Sequence, residues 1–110
     1  MHIESLEQNG IVIVKPVGSM DATTTSIFVN ACEEHLNTGK GKLAVDLSGI
    51  EYISSAGLRG VLTILKASRT LGATVAFCCL QPMVAEVFRI SGFTSMMTLA
   101  DSLDAALASL

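Results

Sequence analysis

Two adjacent hydroxyls in "EYISSAGLRG", residues 51–60, are the first candidates for chemistry. Ser54 and Ser55 stand where an apolar, strand-like run gives way to a helix-like one. A helix N-terminus leaves backbone N–H groups unpaired and carries a partial positive charge, so it stabilises an anion. A phosphoryl group on Ser55, or as second choice on Ser54, would bring roughly −1.5 to −2 charges to that point. Ala56 and Gly57 have almost no bulk and leave the approach open to an incoming enzyme. The plainer reading is that one of the serines caps the helix, a frequent use of serine at such a place. Spacing alone allows both.

Other chemically capable residues point to ordinary structural roles. His2 and His35 are far apart and read as surface or interface histidines rather than as a ligand or base. Cys32 and His35 have i,i+3 spacing, but two ligands without a second pair make a poor metal site. Gly57 and Gly60 do not complete a phosphate-binding Walker loop, because no Lys-Ser/Thr pair follows. Cys78 and Cys79 lie in an apolar run; neighbours on a strand point to opposite faces, so both read as small buried hydrophobes rather than reactive thiols. Asp46, at a strand end, either orients the Ser55 loop by hydrogen bonding or simply caps it. Met83, Met96 and Met97 read as core or interface filler. Arg59, Lys66 and Arg69 read first as a solvated helix face and second as a docking face for a partner. The expectation is a protein that is not an enzyme and holds no metal or cofactor of its own.

The elements that must position the serines follow from periodicity. Asn9-Gly10 suits a two-residue hairpin turn, because both central positions of that turn need φ > 0. It separates a weak strand, His2 to Gln8, from a stronger one, Ile11 to Val17. Pro16 lacks an N–H, so that end of the strand should lie at an edge or bulge. Asp21 is a plausible N-cap for a helix from about Ala22 to Asn37, with Ile27, Phe28, Ala31, Cys32, His35 and Leu36 on one side. "NTGKGK" reads as a loop and Lys42 to Leu47 as an alternating strand. From Gly57 to Leu71 an apolar stripe of Leu58, Val61, Leu62, Ile64 and Leu65 makes an amphipathic helix that ends at Gly72. "ATVAFCCL" reads as a buried strand. Gln81 to Ile90 is a short helix with Pro82 in its first turn, where the missing N–H costs nothing. Met96 to Leu99 predicts a last strand, and Ser102 caps a helix that runs to Leu110. Strand and helix alternate from Lys42 onward, which predicts parallel β-α-β units joined to an N-terminal hairpin. The fold class is α/β, with a mixed sheet of four to five strands and about four helices packed mainly on one side.

Composition bounds what such a fold could do. At 110 residues, residues 1–110 are expected to form a single domain with one core. Half of the residues are hydrophobic and 15% are charged, which argues against disorder. A formal charge of −3 and the lack of any basic cluster argue against nucleic-acid binding, which needs a positive stripe. Three cysteines, two of them adjacent, form no disulfide framework. The charged N-terminus is unlike a signal peptide, and no apolar run approaches the ~20 residues needed to span a bilayer. A cytoplasmic protein without membrane insertion is the expectation.

Several ordered segments resemble the anti-sigma-factor antagonist family, the STAS domains. That family's pattern is a strand ending in Asp or Asn, a short loop, "(D/S)S(S/A/T)GL" opening a helix, then a strand and a helix ending in "SG(F/L)". The matching pieces here are Val45-Asp46-Leu47, then Ser54-Ser55-Ala56-Gly57-Leu58, then Val87-Phe88-Arg89-Ile90-Ser91-Gly92-Phe93. "GSMDATT" resembles the family's "G-x-(L/M)-D" segment, with Asp21 at its acidic position. The resemblance implies that Ser55 is a phosphate acceptor. Its modification by a serine kinase that is also the anti-sigma factor would turn binding off, and a phosphatase would restore it. ATP would be used by that partner kinase. The resemblance also implies a docking surface of Asp21, Ser54, Ala56, Gly57, Leu58 and Arg59. Where many members carry Asp directly before the acceptor, this chain has Ser54. The alternative is a constitutive STAS subunit of a signalling complex or lipid-transfer ABC system, in which the serine is only a cap.

Overall fold

The computed structural model describes residues 1–38 and 41–110, so Gly39 and Lys40, within the expected loop, lie outside the described residues. The chain runs β1 (His2–Gln8), β2 (Ile11–Met20), α1 (Thr25–Asn37), β3 (Lys42–Asp46), β4 (Ile50–Ile53), α2 (Ser55–Leu71), β5 (Thr74–Cys78), α3 (Pro82–Ile90), a 3-10 turn at Phe93–Ser95, β6 (Thr98–Ala100) and α4 (Leu103–Ser109). Strand order is β1-β2-β3-β5-β6, with β4 also paired to β2. The β1–β2 hairpin is antiparallel and every other pairing is parallel. The α/β class, the mixed sheet and the helix positions agree with the sequence reading.

β2 serves two partners in succession. Val12 to Val14 pair with Leu43 to Val45 of β3, and Gly18 to Met20 pair with Ile50 to Ile53 of β4. Pro16 lies between these two pairings, where β2 needs no N–H toward either strand, and a register shift follows at Gly18/Ser19. Where an edge or bulge is expected, the pairing shifts register two residues beyond Pro16, and the strand continues through it to Met20.

The pleat sends alternate residues to two layers of unequal thickness. On one face Val12, Val14, Leu43, Val45 and Phe77 meet Phe28 and Cys32 of α1, Val61 and Ile64 of α2, and Val84 and Phe88 of α3. The other face offers Ile11, Ile13, Ala44, Ala76 and Cys78 to α4, whose Ala106 is fully buried. Three helices therefore share one face, and a seven-residue helix covers the other.

Four readings need correction. The sheet has six strands among the described residues rather than four to five, because the segment after Asp46 forms β4. Its burial runs Ile50 in, Glu51 and Tyr52 out, Ile53 in, so it lacks the alternation that marks a strand in sequence. α1 begins at Thr25, and its N-cap is Thr24 rather than Asp21. α2 begins two residues earlier than expected, at Ser55. Cys79 falls outside β5, half-buried and at φ 61°, instead of continuing the strand.

Candidate functional site

The two serines follow the carboxyl end of β4, and the parallel register sets what stands beside them. Met20 pairs with Ile53, so Asp21 and Ser54 leave the sheet side by side. The Ser54 N–H donates to the Met20 carbonyl at 2.9 Å. Ser54 is extended, with φ −94° and ψ 178°, and its Oγ accepts the Gly57 N–H at 3.3 Å. Its carbonyl accepts the Leu58 N–H at 2.9 Å, the first bond of the helix. Ser54 is therefore the helix cap, and its hydroxyl is committed to the first turn.

Ser55 differs from it in every respect that matters. It is the first helical residue, it is exposed, and among the described residues its Oγ has no hydrogen-bond partner. The first turn of α2 carries no acidic residue, so no side chain of the helix itself offsets the positive end of its 17 residues. Arg59 is also exposed and stands four residues along, one turn up the same helix face.

Glycines press the start of α2 onto the strands. A Cβ on Gly57 would lie 2.6 Å from Ile53 Cγ1 and 2.7 Å from the Met20 carbonyl oxygen. Gly57 is thus buried on the inner side, where its lack of a side chain permits close packing. One turn on, a Cβ on Gly60 would overlap Thr25 Cγ2, so α1 and α2 also touch at a glycine. Ala56 and Leu58 are half-buried between these inner and outer positions.

Asp21 organises the turn before α1. Its Oδ1 accepts the Thr23 N–H at 2.9 Å, the Thr23 hydroxyl at 2.8 Å and the Thr24 N–H at 3.2 Å. The Thr23 hydroxyl and N–H hold the carboxyl below its ordinary pKa, with the Thr24 bonds adding to them. The Asp21 carbonyl takes the Thr25 N–H at 3.0 Å, and the Thr24 hydroxyl donates to the Ser19 carbonyl at 2.6 Å. The acidic residue therefore follows directly on the strand end beside Ser54, with its carboxylate turned onto Thr23 and Thr24.

Asp46 takes the plainer of its two expected roles: its Oδ1 accepts the Ser48 N–H at 2.9 Å and closes the turn between β3 and β4. Gln81 steadies the same turn by donating to the Ser48 carbonyl at 2.8 Å. His35 Nε2 is 3.2 Å from Ser5 Oγ, a surface link between α1 and β1. Burial, the Cys79 thiol and then the Asp46 carboxylate push the Cys78 thiol up to about 12, with Lys15 opposing. Burial likewise raises the Cys32 thiol. Tyr52, 49% exposed on β4, has no signal in the sequence reading, whereas Met83, 61% exposed at the start of α3, takes a surface position rather than the core one of its two expected places. The exposure of Tyr52 depends on β4, which the hydropathy pattern conceals.

The STAS domain sequence profile matches residues 2–106. The chain belongs to the STAS domain family. BtrV of Bordetella bronchiseptica, a protein assigned by name to the anti-sigma factor antagonists, is 35% identical over 100 residues, covering 91% of this chain and 86% of BtrV. Among solved structures, the Thermotoga maritima protein TM1081, also assigned to the anti-sigma factor antagonists, superposes with a TM-score of 0.91 at 21% identity, over 97% of this chain and 92% of its own. The anti-sigma factor antagonist SpoIIAA in its unphosphorylated form gives a TM-score of 0.73 at 11% identity, over 98% of this chain and 96% of its own. SpoIIAA of Bacillus in its phosphorylated form gives 0.73 at 14% identity, over 98% of each chain. At these identities the structural likenesses establish the fold. No helix among the described residues of this STAS domain is long and apolar enough to cross a membrane.

Proposed function

We propose that this STAS domain is a cytoplasmic anti-sigma factor antagonist and that phosphorylation of Ser55 sets whether it binds its partner. The observation that carries the proposal is the division of labour between the two hydroxyls: Ser54 Oγ is committed to the Gly57 N–H, while Ser55 Oγ is exposed on a first turn of α2 that carries no acid of its own. The partner is an anti-sigma factor with serine-kinase activity, which supplies ATP, metal and base. The phosphoryl group passes from ATP to Ser55 Oγ, the hydroxyl proton goes to the partner's base, and ADP leaves. A phosphatase reverses the step. This chain performs no catalysis; it contributes a positioned nucleophile.

Unmodified, the surface formed by Asp21, Ser54, Ala56, Leu58 and Arg59 docks on the anti-sigma factor and frees the sigma factor, with Gly57 setting the depth of the helix start beneath it. The phosphoryl group, once attached, rests on the free N–H groups of the first turn with Arg59 one turn away. It also brings charge to the docking surface beside Asp21 and against acidic groups of the partner. A change of about 3 kcal/mol in binding alters affinity more than a hundredfold. The relation to BtrV and the existence of a phosphorylated form of SpoIIAA support this reading.

The test is incubation with ATP and the cognate serine kinase, followed by intact mass. The expected result is a gain of one phosphate, lost in Ser55→Ala and kept in Ser54→Ala. Ser55→Ala retains affinity for the anti-sigma factor and Ser55→Asp loses at least tenfold. Equal affinity of the two variants, or a phosphate that survives Ser55→Ala, overturns the assignment.

A further inference from the structure

On a regular strand Cys78 and Cys79 would point to opposite faces. Here β5 stops at Cys78, and Cys79 turns into the left-handed region at φ 61°, which residues other than glycine generally avoid. The turn carries the second thiol back toward the first. Parallel pairing in register places Asp46 of β3 beside Cys78. The two Sγ atoms and a carboxylate oxygen of Asp46 consequently lie within 4.8 Å of one another.

We propose that Asp46, Cys78 and Cys79 form a binding site for one thiophilic divalent cation of the Zn²⁺ class. Two thiolates and one carboxylate suit a borderline-soft ion and discriminate against Mg²⁺ and Ca²⁺, which take oxygen ligands. Tetrahedral coordination at Zn–S of about 2.3 Å and Zn–O of about 2.1 Å puts ligand atoms about 3.6 Å apart. From separations within 4.8 Å, the three groups need close by no more than about 1.2 Å onto the ion. Each thiol releases its proton to solvent as it becomes a ligand. The surroundings suit the role. The Ser48 N–H already holds Asp46 Oδ1 at 2.9 Å, a bond that orients the carboxylate from outside the coordination shell. Asp46 is 8% exposed and Cys78 fully buried, while the half-buried Cys79 gives the ion its way in. Three protein ligands leave the fourth position to water. Cys32 sits apart in the opposite layer, on the buried face of α1.

The site lies on the α4 face of the sheet, so it stands or falls independently of Ser55. The test titrates reduced, metal-free protein with Cd²⁺ and follows the thiolate-to-metal charge-transfer band in the ultraviolet. The expected result is one Cd²⁺ per chain, displaced by Zn²⁺ and not by Mg²⁺. The band is expected to be lost in Cys79→Ser and kept in Cys32→Ser, with circular dichroism reporting the fold of each. Asp46→Asn weakens binding at least tenfold. In the unaltered chain Zn²⁺ shields Cys79 from alkylation by iodoacetamide, a readout that needs no variant to fold. No band, one Cd²⁺ shared by two chains, an unchanged titration in Cys79→Ser, or alkylation indifferent to Zn²⁺ overturns the site.

Discussion

α2 and α4 open with the same device. Ser54 Oγ accepts the Gly57 N–H at 3.3 Å, and Ser102 Oγ accepts the Ala105 N–H at 3.1 Å. The residue after each cap separates them. After Ser102 comes Leu103, half-buried against Ile11, Ile13 and Ala76, and then Asp104, an acid in the first turn. After Ser54 comes Ser55, exposed and followed by no acid. α4 compensates its own positive end and attaches itself to the sheet. α2 leaves its positive end open and is held down by glycines behind it. A capped helix start is thus common structure, and it becomes a candidate site when the helix's own first turn withholds both the covering side chain and the countercharge.

The largest break in this comparison comes from the third helical residue of each. Gly57→Ala places a methyl against Ile53 Cγ1 and the Met20 carbonyl, at 2.6 and 2.7 Å before relaxation. Overpacking of this kind costs about 1–3 kcal/mol. Helix propensity, which favours Ala over Gly by about 1 kcal/mol, offsets part of it. The net loss should appear as a lower urea midpoint, with α2 lifted from the strand ends. Ala105→Gly, at the equivalent exposed position of α4, loses about 1 kcal/mol from propensity alone. If Gly57→Ala proves more stable than the parent, α2 is not seated as closely as described.

Removing the caps is the next test. Ser54→Ala should cost about 1 kcal/mol, as loss of a helix cap generally does. Ser102→Ala should fall near the lower end of that range, about 0.5 kcal/mol, because its seven-residue helix covers only the thin layer. Amide exchange separates local from global effects: the Gly57 N–H should exchange faster in Ser54→Ala and the Ala105 N–H faster in Ser102→Ala. Exchange at Gly57 that does not respond would deny Ser54 its capping role.

Much of this arrangement is legible in sequence because local chemistry decided it. Asn9-Gly10, Pro82, Gly72 and Ser102 each act on the backbone within a few residues, and each stands where its chemistry places it. The failures have tertiary causes. β4 packs both of its isoleucines inward with two exposed residues between them, and among the described residues it pairs with the end of β2 alone, across a register shift; that spacing reads as neither strand nor helix. Asp21 is a good cap by type, yet three consecutive threonines let its carboxylate organise a turn first, and the helix starts after them. The bulk of Gly57 is absent for the sake of the strands behind it, a demand that only the assembled sheet reveals. Cys79 escapes the strand pattern for a similar reason: nothing in "AFCCL" announces a left-handed residue.

The smallest expected effect bears most directly on function. If α2 is electrostatically open and α4 is closed, an acid added to the first should help and an acid removed from the second should hurt. Ser55→Asp places a carboxylate at the first helical residue and should stabilise the fold by about 0.3–1 kcal/mol at low ionic strength. Asp104→Asn should cost a similar amount, about 0.3–1 kcal/mol, and both changes should shrink as salt is added. Ser55→Ala should leave stability within about 0.5 kcal/mol, since among the described residues the hydroxyl has no partner to lose. The sign for Ser55→Asp is the informative part. A variant that folds more firmly while binding the anti-sigma factor less tightly separates the two consequences of charge at this position: attraction by the helix beneath and repulsion from the partner above. Destabilisation by Ser55→Asp would mean that the mouth of α2 is already compensated, and the anion-holding role assigned to it would fail with it.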